Sequence, residues 1–407
     1  MVTFLRTAST KALVAASIGV SGLMIGGAMV ATGAASNDAK PAPKPLAQAL
    51  VDSRSNAAFE GVTARVTFSN RLIDSAVLPA GSDPLLGGGS GRLWADANGR
   101  VRIELQSDGG GGDVQIVADG KQVWVSHGPS STVYRAVMPA DTKRPVDSAK
   151  KDKTPPTVAS IEKALTAVAG DVKISDPVPD NVGGRPAYTV TLEPTDTSGL
   201  LGGARISWDA TNGAPLALAI LAKGQANPVM DLRATDVNFG PVDSSVFAMK
   251  PPADAKMTDI PVGDLLAKGK AAAVKAKASG VKRAKPVTGL QAVQAKVPFA
   301  IVAPATLAGR NRSQVVLVRM GKDRAALITY GTNMGSIVVI ESATKTAKAA
   351  KGKGSGFELP TKKVAGLDIT ELGSALGSLA TFSRDGITFA VAGSVTADTL
   401  ESAISGL

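Results

Sequence analysis

Apolar and polar residues alternate with a period of two over most of this chain. At a few places the pattern changes to spacings of three and four. The first such place is 46–60 (LAQALVDSRSNAAFE), where Leu46, Leu50 and Val51 fall on one helical face. Strand signals follow. Thr63 to Ser69 alternates as T-A-R-V-T-F-S, and Gly91 to Leu105 reads as a hairpin turning at Asp96-Ala97-Asn98-Gly99. In its second arm Val101, Ile103 and Leu105 share one face while Arg100, Arg102 and Glu104 share the other. Such alternation marks a sheet with one wet face. Asp113 to Ala118 and Gln122 to Ser126 flank Asp119-Gly120, a hairpin dipeptide, and Thr132 to Val137 is a further short strand.

The polar segment 141–156 (DTKRPVDSAKKDKTPP) predicts a surface loop, after which Thr157 opens a helix with Ile161, Leu165 and Val168 as its stripe and Gly170 as its end. Strands resume at Ala187 to Glu193, then with Ala204, Ile206 and Trp208, with Leu216, Leu218 and Ile220, and with Met230 to Phe239. Residues 268–286 (KGKAAAVKAKASGVKRAKP) carry no large apolar face and read as a linker. Beyond it, short strands are expected at Gln314 to Arg319, Ala325 to Thr329, Ser336 to Ser342 and Ile387 to Val391. Thr370 precedes a helical spacing of Leu372, Leu376 and Leu379, and Thr396 begins a last helix with Leu400 and Ile404. Residues 344–355 form a basic, glycine-rich loop.

Ahead of all this, Ala12 to Ala35 holds no charge, and only Arg6 and Lys11 precede it. A basic start, an apolar run and small residues at its end (Gly33-Ala34-Ala35) make an export signal. The run exceeds an ordinary signal core and approaches a bilayer span, so cleaved leader and retained anchor both stand open. The segments divide as 1–36 leader or anchor, 37–45 spacer, 46–262 first domain, 263–288 basic linker and 289–407 a smaller α+β unit. The chain is expected outside the cytoplasm, anchored or secreted to the envelope.

Composition sharpens this picture. Of 407 residues 44% are hydrophobic but only 4% aromatic, so the cores must be built from Val, Ile, Leu and Ala. With no cysteine there is no disulfide, thiolate metal site, cysteine nucleophile or cysteine-linked lipid, and a lone histidine, His127, excludes a histidine-rich metal site. No cofactor is expected. The net charge is +11, yet Leu265 to Lys322 alone carries twelve Lys and Arg and no acid. Lys268, Lys270, Lys275, Lys277, Lys282, Arg283 and Lys285 would form a solvated tether or attract an anionic membrane surface. Nucleic acid is not the expected partner, because no aromatics interleave these charges.

The catalytic patterns fail. Gly87 to Gly91 and Gly109 to Gly112 lack a following Gly-Lys-Ser/Thr and read as hairpin loops. Asp83, His127 and Ser90 could be set together as a triad, but no Gly-x-Ser-x-Gly elbow presents the serine, and His127 reads as a solvated turn residue. Asp176 and Asp180 flank prolines in a loop and receive no acid–base role. The chain is not expected to be an enzyme.

The order of elements, carried by Ala58-Phe59-Glu60-Gly61, Gly91-Arg92-Leu93-Trp94, Gly99-Arg100-Val101-Arg102, Asp119-Gly120 with Val123-Trp124, Gly184-Arg185-Pro186-Ala187-Tyr188, Gly213-Ala214-Pro215-Leu216 and Phe239-Gly240-Pro241-Val242-Asp243, resembles the LolA-like lipoprotein-carrier and RseB-like superfamily. Residues 290–407, through Asp385-Gly386-Ile387-Thr388-Phe389 and the final helix, resemble the small domain that follows such modules in anti-sigma-like membrane proteins. The resemblance implies an α+β fold, a curved antiparallel half-barrel plugged by helices, with an apolar lining that accepts lipid or lipoprotein acyl chains. Its alternative implication is a regulatory module that binds a membrane protein partner.

The lining candidates are Val66, Phe68, Ile103, Leu105, Ile116, Val190, Leu192, Ile206, Trp208, Leu218 and Ile220. The same residues would equally make an ordinary core beneath two helices. Burying an acyl chain contributes about 0.8 kcal/mol per methylene, so ten buried carbons would gain roughly 8 kcal/mol before entropy is counted.

Overall fold

The computed structural model describes residues 39–55, 60–73, 83–128, 132–137, 157–249, 251, 253, 255–260, 287–320, 323–344 and 360–407. The leader, nearly all of the 263–288 linker with its seven basic candidates, and most of the 344–355 loop lie outside these residues.

The larger sheet has thirteen strands: β1 (Gly61–Asn70), β2 (Gly89–Asp96), β3 (Val101–Ser107), β4 (Asp113–Ala118), β5 (Gln122–His127), β6 (Thr132–Val137), β7 (Val172–Ile174), β8 (Val178–Val182), β9 (Arg185–Pro194), β10 (Leu201–Asp209), β11 (Pro215–Ala222), β12 (Met230–Phe239) and β13 (Lys256–Ile260). The hydrogen-bonded order is β13-β6-β5-β4-β3-β2-β1-β12-β11-β10-β9-β7, with β8 also on β9. All its pairings are antiparallel except that of β13 with β6. Two meanders, one from each half of this domain, are thus joined by the long-range pairing of β1 with β12. Register shifts at Arg65/Val66, Leu201/Gly203 and Ser207/Trp208 bend the strands they interrupt and curve the sheet.

Helices lie on one face. The first, α1 (Leu46–Ser55), buries Ala47, Ala49 and Ser53, with Leu46 and Leu50 half-buried beside them. The expected leucine stripe therefore shares the contact with small residues, because the rings of Tyr188 and Trp208 fill the space opposite Ala49. A one-turn helix, α2 (Pro84–Gly87), follows β1, and α3 (Val158–Val168) packs against α1. Thr157 caps α3 by accepting from the Ser160 amide at 3.2 Å, and Ile161 is its buried residue, as the spacing predicted.

The second sheet has eight strands, β14 (Thr306–Leu307), β15 (Arg310–Met320), β16 (Asp323–Tyr330), β17 (Ile337–Ala343), β18 (Thr361–Val364), β19 (Leu367–Ser374), β20 (Gly377–Arg384) and β21 (Ile387–Gly393). Their order is β14-β15-β16-β17-β21-β20-β19-β18. A short α4 (Leu290–Gln294) precedes them, and α5 (Ala397–Ser405), capped by Thr396, closes the core with Leu400, Ala403 and Ile404. The α+β class stands, with open, curved antiparallel sheets and a few helices.

Two local expectations are corrected. The helical spacing of Leu372, Leu376 and Leu379 belongs to a hairpin, with Leu372 opposite Leu379 and a turn at Ala375-Leu376. Gly373 and Gly377 disfavour a helix there, and burial of Ile369 and Glu371 on alternate positions carries the strand pattern instead. Gly89 and Gly91 are strand residues rather than loop. A side-chain carbon on Gly91 would lie 1.7 Å from the Glu104 carbonyl oxygen, so only glycine admits this approach of β2 to β3.

The two units meet through backbone and small side chains. The Met334 amide donates to Asp196 at 2.5 Å, the Gly335 amide to Ser198 Oγ at 3.0 Å, and the Leu200 amide to Ser394 Oγ at 2.9 Å. Burial pushes the Asp196 carboxyl up, but the bonds from Ser198 and from the Met334 amide win and hold it below the usual carboxylate range. A side-chain carbon on Gly335 would stand 2.3 Å from the Ser198 carbonyl oxygen.

The second core contains a fully buried acid, Glu341, whose Oε2 accepts from the Val302 amide at 3.0 Å while Oε1 has no partner among the described residues. Burial pushes its carboxyl up to about 7, against the lesser opposing effects of the Val302 amide and the Arg384 charge. Because the folded value exceeds the unfolded one of 4.5, the folded unit holds this proton more tightly. Stability is full below the unfolded value and falls as pH rises toward 7, by about 3 kcal/mol at most. Urea unfolding of Glu341→Gln should therefore lose most of this decline between pH 5 and 8, and a decline unchanged from wild type would refute the assignment. Gly335→Val should part the two units while both sheets stay folded. Small-angle scattering should then show a larger radius of gyration with an unaltered circular dichroism spectrum, and an unchanged radius would count against the junction.

Candidate functional site

The register of the large sheet decides which side chains share a face. Phe68 on β1 stands opposite Leu232 on β12, Leu232 opposite Leu218 on β11, Leu218 opposite Ile206 on β10, and Ile206 opposite Val190 on β9. In the other direction Val66 faces Gly91, which faces Leu105, while Ile103 pairs with Ile116. Ile220 pairs with Ala204, which pairs with Leu192, and Trp208 pairs with Tyr188. Because opposed residues of neighbouring strands point the same way, all eleven lining candidates lie on one face of one sheet.

Their environments differ. Val190, Leu192 and Trp208 are buried in a cluster with Tyr188 beneath Ala49 of α1. Val66 and Leu105 are buried in a second cluster, with Phe68 and Ile103 packed against it and Leu85 of α2 resting on it. Ile116, Ile206 and Ile220 are half-buried. Between the two covered parts Leu218 is 48% exposed, although its row is apolar on both sides. Helix therefore covers this face over β9 and β10 and again over β1, β3 and β4, and between the two the face is open at Leu218 on β11. A polar atom lies within the apolar wall. Trp208 is 2% exposed, and its indole Nε1 has no hydrogen-bond partner among the described residues.

How α2 is held was not legible in the sequence. Asp83 caps it by accepting from the Leu85 amide at 2.7 Å, and the same carboxylate bonds His127 Nδ1. His127 is the last residue of β5, with its ring edge-on to Tyr134 at 5.9 Å, rather than a solvated turn residue. The register places it on the apolar face, opposite Val114. Ser90 does not join this pair, since its hydroxyl donates to Asp108 at 3.3 Å. Asp180 lies in β8 and accepts from Thr189 Oγ1 at 3.1 Å, a structural bond. Among the described residues no cluster of metal-ligating side chains occurs, and no helix is long and apolar enough to cross a membrane.

A cavity lies elsewhere, on the polar face of the same sheet. A depression of about 550 Å³ is lined chiefly by Arg65, Thr67, Ser90, Arg92, Glu104, Gln106, Asp113, Gln115 and Thr235. A second depression of about 190 Å³ shares Arg65 and Arg92 with it. The signal for these cavities was in the sequence, in the polar positions that alternate with the apolar ones along β1 to β4.

No protein-family model matches the chain, and no curated protein matches it. Solved structures do. The MucA/MucB complex of Pseudomonas aeruginosa aligns at 15% identity over 88% of this chain and 94% of that one, with a TM-score of 0.36. A LolA superfamily protein from Nitrosomonas europaea aligns at 11% identity over 51% of this chain and 98% of that one, with a TM-score of 0.22. An uncharacterized conserved protein from Thermus thermophilus aligns at 12% identity over 50% of this chain and 91% of that one, with a TM-score of 0.31. Of these, only the Nitrosomonas europaea protein carries the LolA superfamily name.

The cap on α2 can be tested directly. Asp83→Ala removes both the cap and the His127 bond, and should lower stability by about 1 kcal/mol while raising protease sensitivity near Leu85. An unchanged urea midpoint and cleavage pattern would show that α2 is held by other contacts.

Proposed function

We propose that the chain binds an apolar ligand, the acyl chain of a lipid or lipoprotein, on the apolar face of its large sheet, for carriage or sensing at the cell envelope. The observation that carries this reading is the row Phe68–Leu232–Leu218–Ile206–Val190, apolar across five adjacent strands and open at its centre. An exposed leucine inside a continuous apolar row leaves surface in water that an acyl chain would cover. Residues from both helix-covered parts continue the same wall, so displacement of α1 or α2 would lengthen the groove.

The unpartnered indole of Trp208 supplies the polar group that such a site uses for orientation. A buried donor without an acceptor costs about 1–3 kcal/mol, and an ester carbonyl would satisfy it. The role is binding rather than catalysis. The export leader would direct it outside the cytoplasm, and Lys268, Lys270, Lys275, Lys277, Lys282, Arg283 and Lys285 would hold the protein close to an anionic membrane.

Native mass spectrometry of the purified protein should reveal co-purifying lipid. Leu218→Glu should abolish it while changing stability by no more than about 0.5 kcal/mol, because the side chain is already half in water. Absence of lipid from the wild type, or its persistence in Leu218→Glu, would remove the basis of this reading. Loss of folding instead would make Leu218 a core residue.

A further inference from the structure

The polar face carries a charge arrangement that the acyl-chain reading does not use. Across four adjacent strands the register aligns Asp236, Arg65, Arg92 and Glu104 in one row. Two arginines therefore stand directly opposite each other, at a spacing where like charges are destabilising. The acids at the ends of the row do not relieve them. Glu104 is taken by Arg102, which donates to it at 2.5 and 2.8 Å. Asp236 comes no closer to Arg65 than 3.9 Å, and both side chains are largely in solvent. Arg92 has no acidic partner among the described residues, and it lines the 550 Å³ depression together with Arg65. Asp113, the other acid of the lining, sits two strands away from Arg92, about 10 Å by strand spacing.

We propose that Arg65 and Arg92 bind an oxyanion of the phosphate class in this depression. Two guanidiniums from facing positions can share one tetrahedral anion, which turns their repulsion into charge-assisted hydrogen bonding. The Thr67 and Thr235 hydroxyls and the Gln106 amide line the same space and can donate to the remaining oxygens. Phosphate of this class is offered by a lipid headgroup or by a soluble phosphate. The site is on the opposite face from the apolar row, so it stands or falls independently of acyl-chain binding.

The test uses the full chain, titrated calorimetrically with inorganic phosphate and, separately, with vesicles of equal parts phosphatidylcholine and phosphatidylglycerol. Arg92→Gln should weaken inorganic phosphate binding about tenfold, and Arg65→Gln should act in the same direction. Arg205→Gln, on the same face but outside the depression, should leave it unchanged. A parallel loss of vesicle binding in Arg92→Gln would identify a headgroup as the source, and loss confined to inorganic phosphate a soluble one. Failure of the wild type to bind inorganic phosphate, or an equal loss in Arg205→Gln, would overturn the proposal.

Discussion

A two-residue alternation held in register from strand to strand is the constraint on which this molecule rests. Most strands of the large sheet present one apolar and one polar side, and hydrogen bonding forbids a slip of one residue without inverting both. Register therefore sums separate strands into two continuous surfaces with opposite chemistry. The apolar one has to be covered, and α1 and α2 cover only parts of it, over β9 and β10 and over β1, β3 and β4. What is left between them is the exposed Leu218 and its half-buried neighbours, a surface that folding alone does not bury.

The two covers are built differently. Under α1 the wall is filled by Tyr188 and Trp208 against small helix residues, so that part is a packed core closed by shape. The other part is closed by a single turn, fixed by one carboxylate that caps its amide and bonds a histidine across the sheet. A short turn that buries Pro84 and rests Leu85 on the wall covers little area, so its local stability depends on polar bonds, those of Asp83 and that from Asn70 Nδ2 to the Leu85 carbonyl at 2.8 Å.

The smaller unit follows a stricter packing rule. Its sheet buries residues on both faces of β16, and α5 completes the core. Into this core Glu341 brings a carboxyl with one oxygen unpartnered among the described residues, which makes the unit sensitive to pH. The junction between the units uses backbone amides, hydroxyls, one aspartate and close glycine contacts. It fixes geometry through hydrogen-bond direction rather than through buried apolar area.

The sequence by itself determined ten strands of the large sheet, β1 to β6 and β9 to β12, the Thr157 and Thr396 helices and the apolar identity of all eleven wall residues, but not the short β7, β8 and β13. Period and capping are local properties, readable within a window of about ten residues. It misassigned Leu372 to Leu379, because a spacing of leucines cannot show that Glu371 and Ile369 are drawn inward by partners elsewhere in the chain. The tertiary structure alone decided the pairing of β1 with β12, which joins Phe68 to Leu232 and Leu218, and the meetings of Asp83 with His127 and of Arg65 with Arg92. These contacts link residues tens to more than a hundred positions apart. Only the folded register selects which of many chemically equivalent partners each residue meets.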